Sequence, residues 1–275
     1  MAIGRTNASV GGGGSQLKAL IDGRGDSSYL FYNFSGTSVN NFISYNDTEN
    51  SKNMIQMFGN CKKLTSIPLL NTSKVTEMSN MFFECYKLTT IPQLDTSKTT
   101  SMIGMFSYCK SLTTIPQLDT SNVNYIYNMF SSCENLISVP LLNTSKVTNM
   151  DNMFNSCYKL KNIPLLDTSN VTSMYGMFFQ CFELTSIPAL DVSNVTDFNN
   201  AFYGCSNLES IEMTGMKVKF YIASSTKLTR EALVVILNNL ATVSTSQTLT
   251  MGATNLAKLT EEDKAIAINK GWTLA

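Results

Sequence analysis

The sequence predicts a repeat solenoid, a fold in which short coils of similar sequence stack along one axis. Two observations predict it. All seven cysteines lie 24 residues apart, from Cys61 to Cys205, and all six prolines keep the same interval, from Pro68 to Pro188. A fixed period of roughly 20 to 50 residues is typical of repeat arrays, in which each unit buries its apolar side against its neighbours.

The units share the pattern M-x-x-M-F-x-x-C-x-x-L-x-x-I-P-x-L-[DN]-T-S-x-V-x-x-M. We expect the apolar segment Leu64, Ile67 and Leu70 to form a short strand, and stacking to place such strands about 4.8 Å apart in a parallel ladder. Each proline should end its strand because it lacks a backbone donor. The segment from Met81 to Cys85 should close the coil in a helical or 3₁₀ turn.

The Asp/Asn-Thr-Ser triplet of each unit is a turn signature, because an Asx side chain accepts a hydrogen bond from the backbone two residues on. The alternative is a ladder of calcium ligands. Asn71 and Asn143 keep the acceptor and drop the charge, which favours the turn.

The cysteine column predicts reduced, buried thiols that act as small apolar side chains. Parallel Cβ vectors are poorly aimed for disulfides, and seven is an odd number. Thiolate metal sites gather cysteines two to four residues apart. We therefore expect no metal and no cofactor.

Composition and spacing divide the chain into four parts. Residues 1–15 form a Gly-rich arm, either a linker or a segment that orders on a partner. Residues 16–53 form an N-terminal cap and a degenerate repeat, 54–222 the regular repeats, and 223–275 an α/β C-terminal cap.

In the second part, Leu17, Leu20 and Ile21 have helical spacing, and the tripeptide Arg24-Gly25-Asp26, which integrins recognise, is interpreted as a turn. Extending the period backwards places Leu30, Phe34 and Ile43 in the Met, Phe and Ile columns.

The pattern fails after Cys205, where Glu212 replaces proline and Gly215 replaces Asp, so we expect the array to end there. Thr229 should cap a helix over 230–241, followed by a strand over 248–251. Thr260 should cap a second helix that ends at Gly271, before a last strand over 272–274.

Composition excludes several function classes. The chain has no histidine, nucleophile motif or phosphate-binding glycine loop, so we expect no enzyme and no catalytic residue. Lys+Arg and Asp+Glu balance at 20 each, which argues against nucleic acid as a partner. No stretch approaches the roughly 18 apolar residues of a membrane span, so we expect no membrane insertion.

The repeat units carry a family resemblance. The form M-F-x-x-C-x-x-L-x-x-I-P-x-L-D-T-S-x-V-T-x-M resembles the BspA-like class of bacterial leucine-rich repeat over about residues 29–222. That resemblance implies a leucine-rich-repeat-like solenoid with a binding role, because members of the class are regarded as adhesins or binding proteins. It implies no catalytic residues.

The opening MAIGRTNASVGGGG resembles the short N-terminal arms of tail-tip and receptor-binding proteins of phages that infect Gram-positive hosts. These first residues lack the apolar run of a signal peptide, which suits a virion protein made in the host cytoplasm. We therefore expect a phage tail, tail-tip or fibre protein, with a bacterial cell-surface adhesin as the alternative. The expected partners are a host-surface glycan or protein, other tail proteins through the arm, and a second copy of the chain in a homo-oligomer.

Binding residues are sought in the columns that vary between units, because the fixed columns build the core. Aromatic side chains in variable, outward columns can stack on sugar rings or anchor a protein interface. The alternative is that each ring covers only its own coil. The candidates occur in the column after cysteine, in the column six residues before it, and beside the latter: Tyr86, Tyr125, Tyr127, Tyr158, Tyr175 and Phe182.

Overall fold

A computed structural model describes residues 25–275. The arm over 1–15, the helix with Leu17, Leu20 and Ile21, and Arg24 of the tripeptide lie outside the described residues. Over the described chain, coils stack in parallel around one continuous core. The predicted repeat solenoid is confirmed.

The fixed columns of the repeat are the core. The Met, Phe, Cys and Val columns and the first Leu of each coil are almost completely buried, and Ile and the second Leu are nearly so. The phenylalanine rings form a stack along the axis from Phe58 to Phe202, with centroids 5.5 Å apart between Phe82 and Phe106 and 5.9 Å between Phe154 and Phe178. Burying a side chain of this kind contributes about 1.5–3 kcal/mol. Each coil is therefore held by its neighbours.

The cysteines are free and buried, as predicted. Each thiol also donates to the phenylalanine carbonyl of the preceding coil, at 3.1 Å from Cys133 Sγ to Phe106 O. Burial raises the pKa of the six thiols from Cys85 to Cys205, that of Cys205 to about 12. They are held in the unreactive protonated form.

The coil-closing turn differs from the helical or 3₁₀ turn that the sequence suggested. In the segment Met78–Cys85, Met81 and Phe83 donate to the carbonyl three residues back, while Asn80 and Phe82 donate to the next coil. A continuous helix would keep every one of these donors within the coil, whereas here every second donor bonds to the next coil. The segment is a succession of single turns, and it makes the densest hydrogen bonding between coils.

These turns require left-handed backbone twice in each coil. Asn80 has φ of 55° and Glu84 of 58°. Asn and Gly tolerate this region best, and the first of the two positions is occupied by Gln56, Asn80, Gly104, Asn128, Asn152, Gly176 and Asn200. The sequence carries this signal as a near-invariant Asn/Gly column.

The parallel ladder lies mainly elsewhere than predicted. A column of parallel bridges joins Asn53, Glu77, Ser101 and Tyr125, just before the closing turn. At the predicted strand, most regular coils share one backbone bond, such as Lys161 N to Ile137 O. Within residues 25–275, a two-residue pairing at this position appears only where proline gives way to Glu212, and Ser38 and Ser66 form a single parallel bridge.

Glu212 supplies the donor that proline lacks. Its N–H donates to Ile187 O at 3.0 Å, and the strands β1 (Ser186–Ile187) and β2 (Ser210–Ile211) pair in parallel beside it. The six prolines thus limit the ladder at this corner, as expected from a residue without an N–H.

The degenerate first repeat has a different register from the one predicted. Phe31, not Phe34, stacks on Phe58, with ring centroids 5.5 Å apart and 4° between planes, and Asp26 pairs with Asn53. This coil is three residues longer than the others, and a 3₁₀ helix, Tyr45–Thr48, lies in its later part. Extending the 24-residue period backwards therefore gives the wrong register for residues before Asp47.

The C-terminal elements follow the predicted order. They are β3 (Phe220–Tyr221), α1 (Arg230–Asn239), β4 (Gln247–Thr250), α2 (Gly252–Leu256), α3 (Glu261–Ile268) and β5 (Trp272–Leu274). Thr229 caps α1 and Thr260 caps α3, both as predicted. Strand β3 and the short helix α2 were not predicted.

Coil stacking continues past the last repeat. Met216 bridges Leu240, and β3, β4 and β5 form a parallel sheet in that order. Arg230 Nε and Nη2 each lie 2.7 Å from the Asp263 carboxylate, joining the first turns of α1 and α3. The 24-residue motif ends after Cys205, but the ladder extends to Leu274.

Candidate functional site

The Asx turn is the local device that shapes the corner after each proline. The Asp167 carboxylate accepts from Ser169 N–H at 3.1 Å and from Ser169 Oγ at 2.7 Å. Asn71 and Asn143 make the same contacts with Ser73 and Ser145. The turn interpretation of the triplet is confirmed.

The predicted aromatic residues occupy outward columns. Tyr125, Tyr175 and Phe182 are exposed, and Tyr86, Tyr127 and Tyr158 are half-buried. Tyr125 is the most exposed of them, at 54%. Because Ile126 between Tyr125 and Tyr127 is buried, the two tyrosines lie on the same outer side of their coil.

Two of the candidates are in direct ring contact. Tyr158 and Phe182 stack in neighbouring coils, with centroids 5.2 Å apart and 22° between planes. Each ring covers one face of the other, and Phe182 remains 40% exposed. The pair offers a partner aromatic surface and a phenol hydroxyl.

Tyr86 belongs to the same column but lies in its charged half. Lys62 Nζ and Lys110 Nζ lie 5.4 Å and 5.8 Å from its ring centroid. Burial of the phenol and the neighbouring Glu84 carboxylate raise the pKa of Tyr86. Lys110 pairs with Glu134 at 2.7 Å, which separates Tyr86 from Tyr158.

Tyr127 and Tyr175 share a column with Asp151 in the coil between them. The Asp151 carboxylate accepts from Tyr175 N–H at 2.8 Å and from Asn149 Nδ2 at 2.9 Å. This network fixes the backbone of Tyr175. Two coil steps, about 10 Å, separate the two tyrosines.

One aromatic column was missed by sequence reasoning. Phe179, Tyr203 and Tyr221 stack on one another, with centroids 5.4 Å and 5.6 Å apart, and carry the outer surface onto the C-terminal elements. Applying the same test of variability to the residue after Met-Phe would have found this column, which reads Phe83, Ser107, Ser131, Asn155, Phe179 and Tyr203.

The corner after proline also presents apolar residues that the sequence analysis did not single out. Leu141 and Leu165 are 62% and 60% exposed in neighbouring coils, and Ile137, three residues before Pro140, is exposed as well. At the N-terminal end of this corner lies an open groove of about 530 Å³, between the Asx turns of three coils and Tyr45.

Two structural features bear on membrane and metal chemistry. No helix within residues 25–275 has the length and apolar character to cross a bilayer. Over the same residues, no three Cys, Asp or Glu side chains gather in an arrangement suited to a metal ion.

Stacked coils of this repeat define a leucine-rich-repeat-type solenoid. A family described as "Mycoplasma protein of unknown function, DUF285" matches residues 26–139 and 137–224. Because these matches span most of the chain, the protein belongs to that family.

Solved structures of two bacterial leucine-rich repeat proteins are similar to the chain. A protein of Eubacterium ventriosum has 20% identity and a TM-score of 0.46, over 66% of this chain and 44% of that one. A leucine-rich repeat protein of T. pallidum has 16% identity and a TM-score of 0.47, over 77% of this chain and 85% of that one. The chain thus spans less than half of the Eubacterium protein. A search of curated proteins found no match.

Proposed function

We propose that this protein is a non-catalytic binding protein whose repeat array recognises a glycan or protein on a cell surface. The observation that carries the proposal is the division between columns. The fixed columns are buried in every regular coil, whereas aromatic residues occur in columns whose identity changes from coil to coil and which lie outside. Stability of the stack does not require rings at those positions.

The candidate residues have the chemistry of an interface. Exposed aromatic rings that are held by a neighbour lose little conformational freedom on binding, which favours them as anchors. Tyr158 and Phe182 hold each other by stacking, and hydrogen bonds to Asp151 order the backbone of Tyr175. Such rings suit contact with a protein surface or a saccharide.

The finer proposal concerns the setting. Two settings are proposed. In the first setting, the chain is a tail, tail-tip or fibre protein of a phage virion, made in the host cytoplasm and docked on other tail proteins by its N-terminal arm. In the alternative, it is an adhesin at a bacterial cell surface. The arm sequence supports the first setting, and the resemblance to BspA-like repeats supports the second.

A pull-down on three materials tests the proposal. Purified protein is incubated with intact bacterial cells, cell-wall glycan preparations and isolated phage tails, and bound protein is measured after washing. Saturable binding to cells or wall glycans is expected, and copurification with tails would favour the virion setting. Binding to none of the three would contradict the proposal. Chain unfolded by heat is the control for non-specific adsorption.

A further inference from the structure

The groove beside Tyr45 lies at a different corner of the coil from the aromatic columns. It is open to solvent, has a volume of about 530 Å³, and is bounded by Tyr45, Leu69, Gln93, Asp95 and Asp119. Its floor includes Thr72 and Thr96 of the Asx-Thr-Ser corner. The longer first coil forms one wall, because it carries Tyr45.

The threonine hydroxyls separate this part of the solenoid from the rest. Thr144 Oγ1 donates to Asp167 O at 2.7 Å, and Thr168 Oγ1 donates to Asp191 O at 2.6 Å. In the three coils at the groove, the hydroxyls of Thr72, Thr96 and Thr120 are buried and have no hydrogen-bond partner. These threonines are at most 2% exposed. Buried hydroxyls are almost always paired in native proteins, so the unpaired hydroxyls of Thr72 and Thr96, which both line the groove, set this stretch of the corner apart from the rest.

The acceptors at the groove suit hydroxyl groups. The Oδ1 atoms of Asp95 and Asp119 accept from the N–H groups of Ser97 and Ser121 at 3.0 and 2.9 Å, which leaves Oδ2 of each carboxylate for a ligand. Gln93 Nε2 donates to Gln117 O, so its Oε1 is a further acceptor. The hydrogen bonds from the serines also lower the pKa of both carboxyls, which keeps them ionised.

The charge of the groove selects among ligands. No lysine or arginine is among its described lining residues, and Lys98 acts on Asp95 from outside that lining. The two carboxylates of the lining therefore disfavour an anionic sugar or a phosphate. Tyr45 and Leu69 are about half exposed and offer apolar surface of the kind that packs on the C–H face of a sugar ring. A calcium ion needs six to eight oxygen ligands. The groove offers two carboxylates and a few neutral oxygens.

We propose that this groove binds a neutral or amino saccharide. Asp95 and Asp119 accept hydrogen bonds from its hydroxyl or ammonium groups, and Tyr45 and Leu69 pack on its ring. Such a ligand would be additional to whatever the aromatic columns contact. It would bind at the N-terminal end of the array.

Saturation-transfer NMR with defined sugars tests the assignment. The probes are glucose, galactose, glucosamine and N-acetylglucosamine at millimolar concentration, with N-acetylneuraminic acid as the anionic probe and calcium chloride in a separate arm. We expect transfer to at least one neutral or amino sugar, with amide shifts confined to residues 71–73, 95–97 and 119–121. Transfer to none of them, or shifts with calcium alone, would overturn the proposal.

Matched substitutions then locate the site. Asp95→Asn and Asp119→Asn keep the turn, as Asn71 and Asn143 do. Each should weaken sugar binding about tenfold, the effect of losing a hydrogen bond to a charged acceptor. Asp167→Asn and Asp191→Asn, in the same column outside the groove, should leave sugar binding within about twofold of the wild type. Equal losses in both pairs would overturn the site.

The sugar assay and the cell pull-down separate the two proposals. Sugar binding without cell binding would sustain the groove and contradict the proposed function. Cell binding without any sugar signal would sustain the proposed function and contradict the groove proposal. Both assays use the full chain, and thermal melting identifies any variant that fails to fold.

Discussion

At the scale of single residues, left-handed backbone explains a column of the repeat that is neither apolar nor a binding residue. Asn128 and Asn152 have φ of 58° and 53° at the first turn position of their coils, where other coils have glycine. An Ala Cβ in this region costs roughly 1–2 kcal/mol, whereas Asn tolerates it and Gly has no Cβ. The column is therefore conformational in origin.

Asn128→Ala is expected to lower the free energy of unfolding by about 1–2 kcal/mol, because it puts an ordinary side chain at a left-handed position. Asn128→Gly should cost much less, since Gly104 and Gly176 occupy the equivalent positions. Urea denaturation of both variants makes the comparison. Equal losses would show that an Asn side-chain contact, and not the backbone angle, matters here.

The carboxylates of the Asx turns predict a response to acid. Hydrogen bonds from Ser169 and Ser193 lower the pKa of Asp167 and Asp191 below the ordinary value of 3.8. A folded-state pKa below the unfolded one contributes stability that is complete above the unfolded pKa and is lost as pH falls through the folded pKa. Stability should therefore decline below about pH 4.

The double variant Asp167→Asn/Asp191→Asn should match the wild type in urea unfolding at about pH 6 and lose less stability between there and about pH 3. Asn keeps the turn acceptor and cannot titrate, as Asn143 already illustrates. An identical decline in both proteins would mean that other carboxylates control the acid response.

At the scale of the coil, the phenylalanine stack and the turn segment act together. Each ring of the stack is buried between two others, and the backbone beside it donates to the next coil, as Phe106 N does to Met129 O at 2.9 Å. A cavity in one ring position therefore weakens two interfaces between coils.

Phe130→Ala is expected to lower the free energy of unfolding by about 3–5 kcal/mol, the usual cost of deleting a buried ring. Phe182→Ala, which removes an exposed ring from the neighbouring outer column, should cost less than about 1 kcal/mol. Chemical denaturation monitored by circular dichroism measures both. Similar losses would contradict the distinction between the core and outer columns.

At the scale of the whole molecule, the sequence predicted which columns are buried, and it failed for the hydrogen bonding between coils and for the register where the period changes. Burial repeats with every regular coil, so Met153, Phe154 and Cys157 could be assigned to the core from spacing alone. The register of Phe31 could not, because three extra residues in the first coil break the period that places its neighbours.

The outer surface was predictable only in part, since it depends on contacts between coils. Variability in sequence identified Tyr158 and Phe182, but not that their rings cover each other's faces. The groove was missed because it combines residues from four coils, including Tyr45 of the irregular first one. Neither feature can be read within a single repeat.

The central claim is that fixed columns build the array and variable columns bind. The most direct test measures both binding and stability for the double variant Tyr158→Ala/Phe182→Ala. Bound protein on the cell material that retains the wild type is compared with the thermal melting curve. The variant should lose most of its binding while its melting curve stays nearly unchanged. Unchanged binding, or a loss of binding matched by a loss of stability, would contradict the account.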